Sequence, residues 1–162
     1  MTLSTLDLGH LRRCVDLALE ALEDGDDPFG SVLVDADGQV RREERNAVGG
    51  GDQTRHPELA LARWAAEHLE PRERRDACVY TSAEHCPMCA AAHGWVGLGR
   101  IVYAVSSAQL SGWLSDWGAP AGPVRTLPVD DLVPGILLDG PAPTLLEEVR
   151  ALHRRRFEWL TS

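Results

Sequence analysis

Two short stretches carry residue types that could do chemistry. His56-Pro57-Glu58 offers an imidazole and a carboxylate two residues apart, and Cys86-Pro87-Met88-Cys89 offers two thiolates in a Cys-x-x-Cys pair. Three nitrogen or sulfur ligands leave the fourth position of a tetrahedral zinc open for water, the pattern of a catalytic rather than a structural ion. Such an ion lowers the pKa of its bound water towards neutrality. Glu58 would lie beside the metal without binding it, taking a proton from the water and passing it to a leaving nitrogen. A four-ligand structural site is the competing reading, with His85, His93 or His68 as the fourth ligand. Structural zinc usually draws on two closely spaced ligand pairs, whereas His56 stands alone beside a carboxylate. A redox Cys-x-x-Cys would leave His56 and Glu58 without a part.

These groups must be held by their surroundings. Pro57 and Pro87 suit the first turn of a helix, where proline's missing donor would be unpaired anyway. His56, Cys86 and Cys89 therefore sit at predicted helix starts, where unpaired amides and the positive dipole end favour thiolate. The helix after His56 carries Leu59, Leu61, Trp64, Ala65 and His68 at helical spacing and ends before Pro71; residues 72–76 read as a charged connector. Residues 77–82 and 100–105 read as strands flanking a helix from Pro87 to about Gly97, and strand–helix–strand implies parallel pairing. Towards the N-terminus, Leu8, Leu11, Val15, Leu19 and Leu22 predict an amphipathic helix from Ser4 to Asp24. Residues 31–35 form an apolar strand, and Ala36-Asp37-Gly38 turns it into a polar strand, residues 39–45, placed near a sheet edge. Residues 46–55 read as a loop, and residues 106–123 as another, rich in glycine, serine and proline and holding Trp113, Asp116 and Trp117. Residues 124–127 and 136–138 are candidate short strands, and residues 143–159 a last helix with Leu146, Val149 and His153 on one face.

Composition narrows the class. The 162 residues predict a single domain spanning 1–162, with 44% apolar and 25% charged residues, ordinary for a soluble chain. No apolar run of membrane-spanning length is present, and Asp7 and Arg12 interrupt the N-terminal stretch where a signal peptide would be apolar, so a cytoplasmic location is expected. The net charge is −9 and every basic residue is arginine, a balance that argues against nucleic acid as partner. Cys14 and Cys78 lie in apolar surroundings on separate elements and are expected to be free, buried thiols.

Taken in order, Pro28-Phe29-Gly30, Asn46, His56-Pro57-Glu58 and Ser82-Ala83-Glu84-His85-Cys86-Pro87-Met88-Cys89 resemble the cytidine-deaminase-like superfamily, closest to its bacterial guanine deaminase and tRNA adenosine deaminase branch. The zinc-deaminase signature is His-x-Glu followed by Pro-Cys-x-x-Cys; here His85 stands where the proline usually is, and Pro57 replaces alanine. The resemblance covers about residues 5 to 110. It implies an α/β fold, a three-layer α/β/α arrangement around a mixed sheet of about five strands. It implies zinc held by His56, Cys86 and Cys89, with Glu58 as catalytic proton shuttle. Asn46 would hydrogen-bond the substrate and Phe29 would pack on it, with Asp116, His85 and Trp113 as further substrate-binding candidates. The activity implied is hydrolytic deamination of a nucleobase or nucleoside, guanine or a related aminopurine or triazine first, in a homodimer. The alternatives are tRNA adenosine deamination, or a zinc-stabilised interaction domain without catalysis.

Overall fold

The computed structural model describes residues 3–162. In chain order the elements are α1 (Thr5–Glu23), β1 (Gly30–Val34), β2 (Val40–Arg45), α2 (Pro57–His68), α3 (Pro71–Asp76), β3 (Cys78–Ala83), α4 (Pro87–Val96), β4 (Arg100–Val105), α5 (Ser107–Asp116), α6 (Val129–Leu132), β5 (Leu138–Asp139) and α7 (Leu146–Thr161). Short 3-10 turns occupy Val48–Gly50 and Pro143–Leu145. No helix of the described residues is long and apolar enough to cross a membrane.

The sheet runs β2-β1-β3-β4-β5. β1 pairs antiparallel with both β2 and β3, while β3–β4 and β4–β5 are parallel, as strand–helix–strand connections require. Side chains alternate between its faces. Val32, Val34, Tyr80, Val102 and Ala104 pack with Leu11, Val15 and Leu22 of α1 and Val149 and Leu152 of α7. Leu33 and Val79 point the other way, towards Leu61, Ala62 and Ala65 of α2. Ile101 meets Ala90 of α4. The architecture is the expected three-layer α/β/α sandwich on a mixed five-stranded sheet. β2, mostly exposed, is the edge strand its polar sequence predicts.

Gly30 fixes how closely the first layer approaches. A Cβ there would run into the Cys14 carbonyl, the Leu17 side chain and the Ala18 amide, so only glycine lets α1 lie directly on the start of β1.

Several expectations for the connecting segments change. Residues 107–116 form a helix, where a loop was expected. Ser106 and Gln109 make a capping box at its start, and that signal outweighs the glycine and serines within it. The charged connector is the short α3, opened by Pro71 and capped by Glu70 and Glu73. Residues 124–127 are not a strand, and of 136–138 only Leu138 belongs to one. The last helix begins at Leu146, after the 3-10 turn.

One buried polar cluster ties four elements together. The Asp7 carboxylate accepts hydrogen bonds from Ser4 N (2.8 Å), Tyr80 Oη (2.9 Å) and Arg100 Nη1 (2.7 Å), and Arg100 Nε donates to Asp139 (2.8 Å). Burial raises the Asp7 pKa, but Arg100, Ser4 and Tyr80 together outweigh it and hold the group well below the usual carboxylate range. A carboxyl depressed in the folded state contributes stability above its unfolded pKa of about 3.9, and that contribution is lost as pH falls through the folded value. Asp7→Asn should therefore cost roughly 2–4 kcal/mol at pH 7, because it leaves Arg100 and Tyr80 poorly matched. Urea unfolding of both proteins across pH should show the gap closing from about pH 5 downwards. A gap that stays constant into acid would contradict this assignment.

Candidate active site

The site lies where two helix N-termini meet. His56 is the N-cap of α2, with extended backbone and Pro57 behind it; Cys86 is the N-cap of α4, followed by Pro87. Cys89 sits in the first turn of α4. His56 Nδ1 is 3.5 Å from Cys86 Sγ and 3.6 Å from Cys89 Sγ, and the two sulfurs are 3.6 Å apart. With bonds of about 2.3 Å to sulfur and about 2.0–2.1 Å to nitrogen, a tetrahedral zinc needs ligand separations of about 3.8 Å (S–S) and about 3.6 Å (S–N). The three atoms thus already stand at the spacing of three tetrahedral ligands, and among the described residues they converge closely enough to hold an ion.

Their protonation follows from their closeness. The Cys86 thiol is lowered to about 4 by its hydrogen bond with Cys89, helped by His56 and against burial. Cys89 is pushed upward by the same contact and by burial. His56 is raised by its hydrogen bond to Cys86. One thiolate is thus stable beside an imidazole, and a second needs a further positive charge.

Glu58, in the first turn of α2, is buried but lines the adjoining cavity. Its Oε1 accepts from Thr81 Oγ1 (2.8 Å), and Ser31 Oγ donates to Thr81 Oγ1 (2.9 Å) while lying 3.2 Å from Glu58. Burial raises the Glu58 pKa, opposed in part by its own backbone amide and by the Thr81 hydroxyl. Ser31 and Thr81 were not anticipated from the sequence, although the signal was there. They are register partners on β1 and β3, polar positions on the face that otherwise carries Leu33 and Val79.

The cavity, of about 530 Å³, opens over His56, Glu58 and Cys86. Phe29 forms one wall; Leu110, Leu114 and Ser111 of α5 form another, and residues 119–127 close the outside. Of the sequence candidates, His56, Glu58, Cys86, Cys89 and Phe29 come together here. Asn46 is buried and does not line the cavity: its Oδ1 accepts from Asp27 N and Val48 N, and its Nδ2 has no partner among the described residues.

His85, Trp113 and Asp116 lie elsewhere. The His85 ring is buried edge-on against His93, 5.2 Å between centroids, and burial lowers its pKa. Trp113 packs against the core next to Arg150 of α7, and Asp116 is exposed at the end of α5. None of the three lines the cavity. For Trp113 and Asp116 the helix over residues 107–116 is the reason: it gives Trp113 to the α5–α7 contact and Asp116 to solvent.

Comparison with known proteins follows from this geometry. Residues 4–105 match the family model of the cytidine and deoxycytidylate deaminase zinc-binding region. A probable cytosine deaminase of Schizosaccharomyces pombe is 35% identical over 111 residues, 67% of this chain and 65% of that protein. The guanine deaminase of Bacillus subtilis is 35% identical over 95 residues, 58% of this chain and 61% of that protein. The match thus spans less than two thirds of either relative's length. The solved structure of the Bacillus subtilis guanine deaminase superposes with a TM-score of 0.56 at 28% identity, covering 90% of this chain and 92% of that one. A guanine deaminase structure from Nitrosomonas europaea shares the fold, with a TM-score of 0.71 at 19% identity over 96% of this chain and 86% of that one. On its ligand geometry, its sheet and the family model alike, this chain belongs to the cytidine and deoxycytidylate deaminase zinc-binding family.

Proposed function

We propose that this chain is a zinc-dependent hydrolytic deaminase of a nucleobase or nucleoside, with guanine or a related aminopurine or triazine as the favoured substrate. One observation carries the reading: His56 Nδ1, Cys86 Sγ and Cys89 Sγ stand at tetrahedral spacing, and Glu58, outside that set, opens on the same cavity. His56, Cys86 and Cys89 would hold the ion, which when bound supplies Lewis-acid chemistry that brings the acidity of water towards neutrality.

The chain's own groups do the rest. The cavity floor brings an amidine-type ring carbon within reach of Glu58. Water adds across the ring C=N bond: its oxygen forms the new C–O bond, the displaced electron pair goes to the ring nitrogen, and Glu58 takes the water's proton and passes it to that nitrogen. Glu58 then moves the hydroxyl proton to the exocyclic nitrogen, the C–N bond breaks as the carbonyl forms, and ammonia leaves. Thr81 and Ser31 hold Oε1 still, so the carboxyl needs no reorientation between the two transfers. Phe29, which lines the cavity, would pack on the ring; Asn46 carries a donor without a partner among the described residues, but one buried outside the cavity lining. A purine is favoured because the guanine deaminase of Bacillus subtilis is among the relatives; cytosine is the rival that the Schizosaccharomyces pombe protein suggests. A homodimer remains part of the proposal: Trp95 is 92% exposed on α4, a helix without one formally charged side chain.

Three measurements test this reading. Metal analysis should find about one zinc per wild-type chain and almost none after Cys89→Ser or His56→Ala, as expected for a three-ligand site. Full zinc retention in both variants would refute the ligand set. Ammonia release should be followed on guanine, guanosine, adenine, adenosine, cytosine, cytidine, ammeline and an anticodon stem-loop. At least one should be turned over, with Glu58→Gln slower by about 10²–10⁴-fold or more while zinc stays bound. Equal turnover by both proteins would remove Glu58 from its role, and turnover of the stem-loop alone would move the assignment to RNA. Thr81→Val should lower kcat about tenfold with little change in KM, since it frees a carboxyl that acts in the transition state. A pure KM effect would place Thr81 in substrate binding instead.

A further inference from the structure

We propose that Glu84 is a positioning residue that fastens the outer wall of the cavity to the loop bearing Cys86, so that one carboxylate sets the shape of the substrate pocket. Glu84 Oε2 accepts from both Ser107 N (2.8 Å) and Ser107 Oγ (2.9 Å), and Oε1 accepts from Val129 N (2.9 Å). The Glu84 amide donates to Val105 O (2.9 Å), which fixes the residue against the end of β4 two positions before Cys86. Each oxygen thus holds a different segment: Ser107 is the first residue of α5, and Val129 begins the one-turn α6. Charge-assisted bonds from amides and a hydroxyl to a carboxylate are strong.

What is fastened matters for the pocket. Between α5 and α6 the chain runs outside the cavity as an arm, and Pro120, Arg125, Thr126 and Leu127 line it. The arm leaves α5 through the Ala119 N–Leu114 O bond (2.9 Å). Among the described residues, no hydrogen bond or ion pair holds residues 120–127. Its far end is fixed at Val129, by the bond to Glu84 and by packing of that buried side chain with Ala90 and Ile101. The start of α5 and the far end of this arm therefore meet at one side chain, two positions before Cys86.

The statement about substrate rests on the function proposed above; the statement about the arm does not. Glu84→Gln is nearly isosteric but turns an amide donor towards Val129 N or Ser107 N, and Ser107→Ala removes only the hydroxyl bond. The test is limited trypsin digestion of the zinc-loaded full chain, with cleavage sites read by mass spectrometry. Cleavage after Arg125 should accelerate about tenfold or more in Glu84→Gln, as loss of bonds to a charged group implies, and less in Ser107→Ala. Cleavage after Arg154 or Arg155 on α7, and zinc content, should stay close to wild type. With a substrate in hand, KM should rise about tenfold in Glu84→Gln with kcat within about threefold, the sign of lost positioning rather than lost chemistry. Unchanged cleavage after Arg125 would overturn the proposal. Equal acceleration at every site, with zinc loss, would overturn it in favour of a global folding role. Faster cleavage after Arg125 in a protein inert to every base and RNA would uphold the tether and refute the deaminase reading.

Discussion

The structure depends on the meeting of two helix starts over the carboxyl end of β3. α2 delivers His56 and Glu58, α4 delivers Cys86 and Cys89, and each helix begins with a proline that fixes where it starts. Helix N-termini are positive ends, so each favours the anionic groups beside it. Two thiols and a carboxyl are crowded there, and burial pushes Glu58 towards its neutral form. A divalent cation is the natural complement to that arrangement, and the ligand spacing is already the one it requires.

The sheet supplies the precision. β1 and β3 are paired so that Ser31 lies opposite Thr81, and these hydroxyls form a short chain ending on Glu58 Oε1. Glu58 therefore hangs from α2 but is oriented by the sheet below it. Gly30, next to Ser31, lets α1 lie directly on β1, so the strand that carries Ser31 is clamped from the opposite layer. Function-bearing side chains are thus held by regular elements, while the outer wall is built from an arm without regular structure.

Much of this was legible in the sequence because its signals were local. Proline after His56 and Cys86, the capping pair at Ser4 and Asp7, and short apolar runs of strand type each act within a few residues, and the elements appear close to where those patterns put them. What could not be read depends on distant partners. Residues 106–123 looked like a loop because glycine, serine and proline recur there. Yet Ser106 and Gln109 cap a helix there, and α7 supplies the Arg150 and Phe157 contacts that Trp113 and Trp117 need. His85 looked like a titratable neighbour of the site, whereas its ring turns into the interior beside His93. Ser31, Thr81 and Glu84 became visible only once strand register and the approach of α5 and α6 were known.

The central claim is a three-ligand zinc site with one open position, and X-ray absorption spectroscopy of the zinc-loaded protein tests it most directly. The account predicts two sulfurs at about 2.3 Å, one nitrogen at about 2.0–2.1 Å, and one further light atom from solvent that a substrate-like inhibitor displaces. Two sulfurs with two imidazole nitrogens, unchanged by any inhibitor, would mean a closed structural site and would contradict the account.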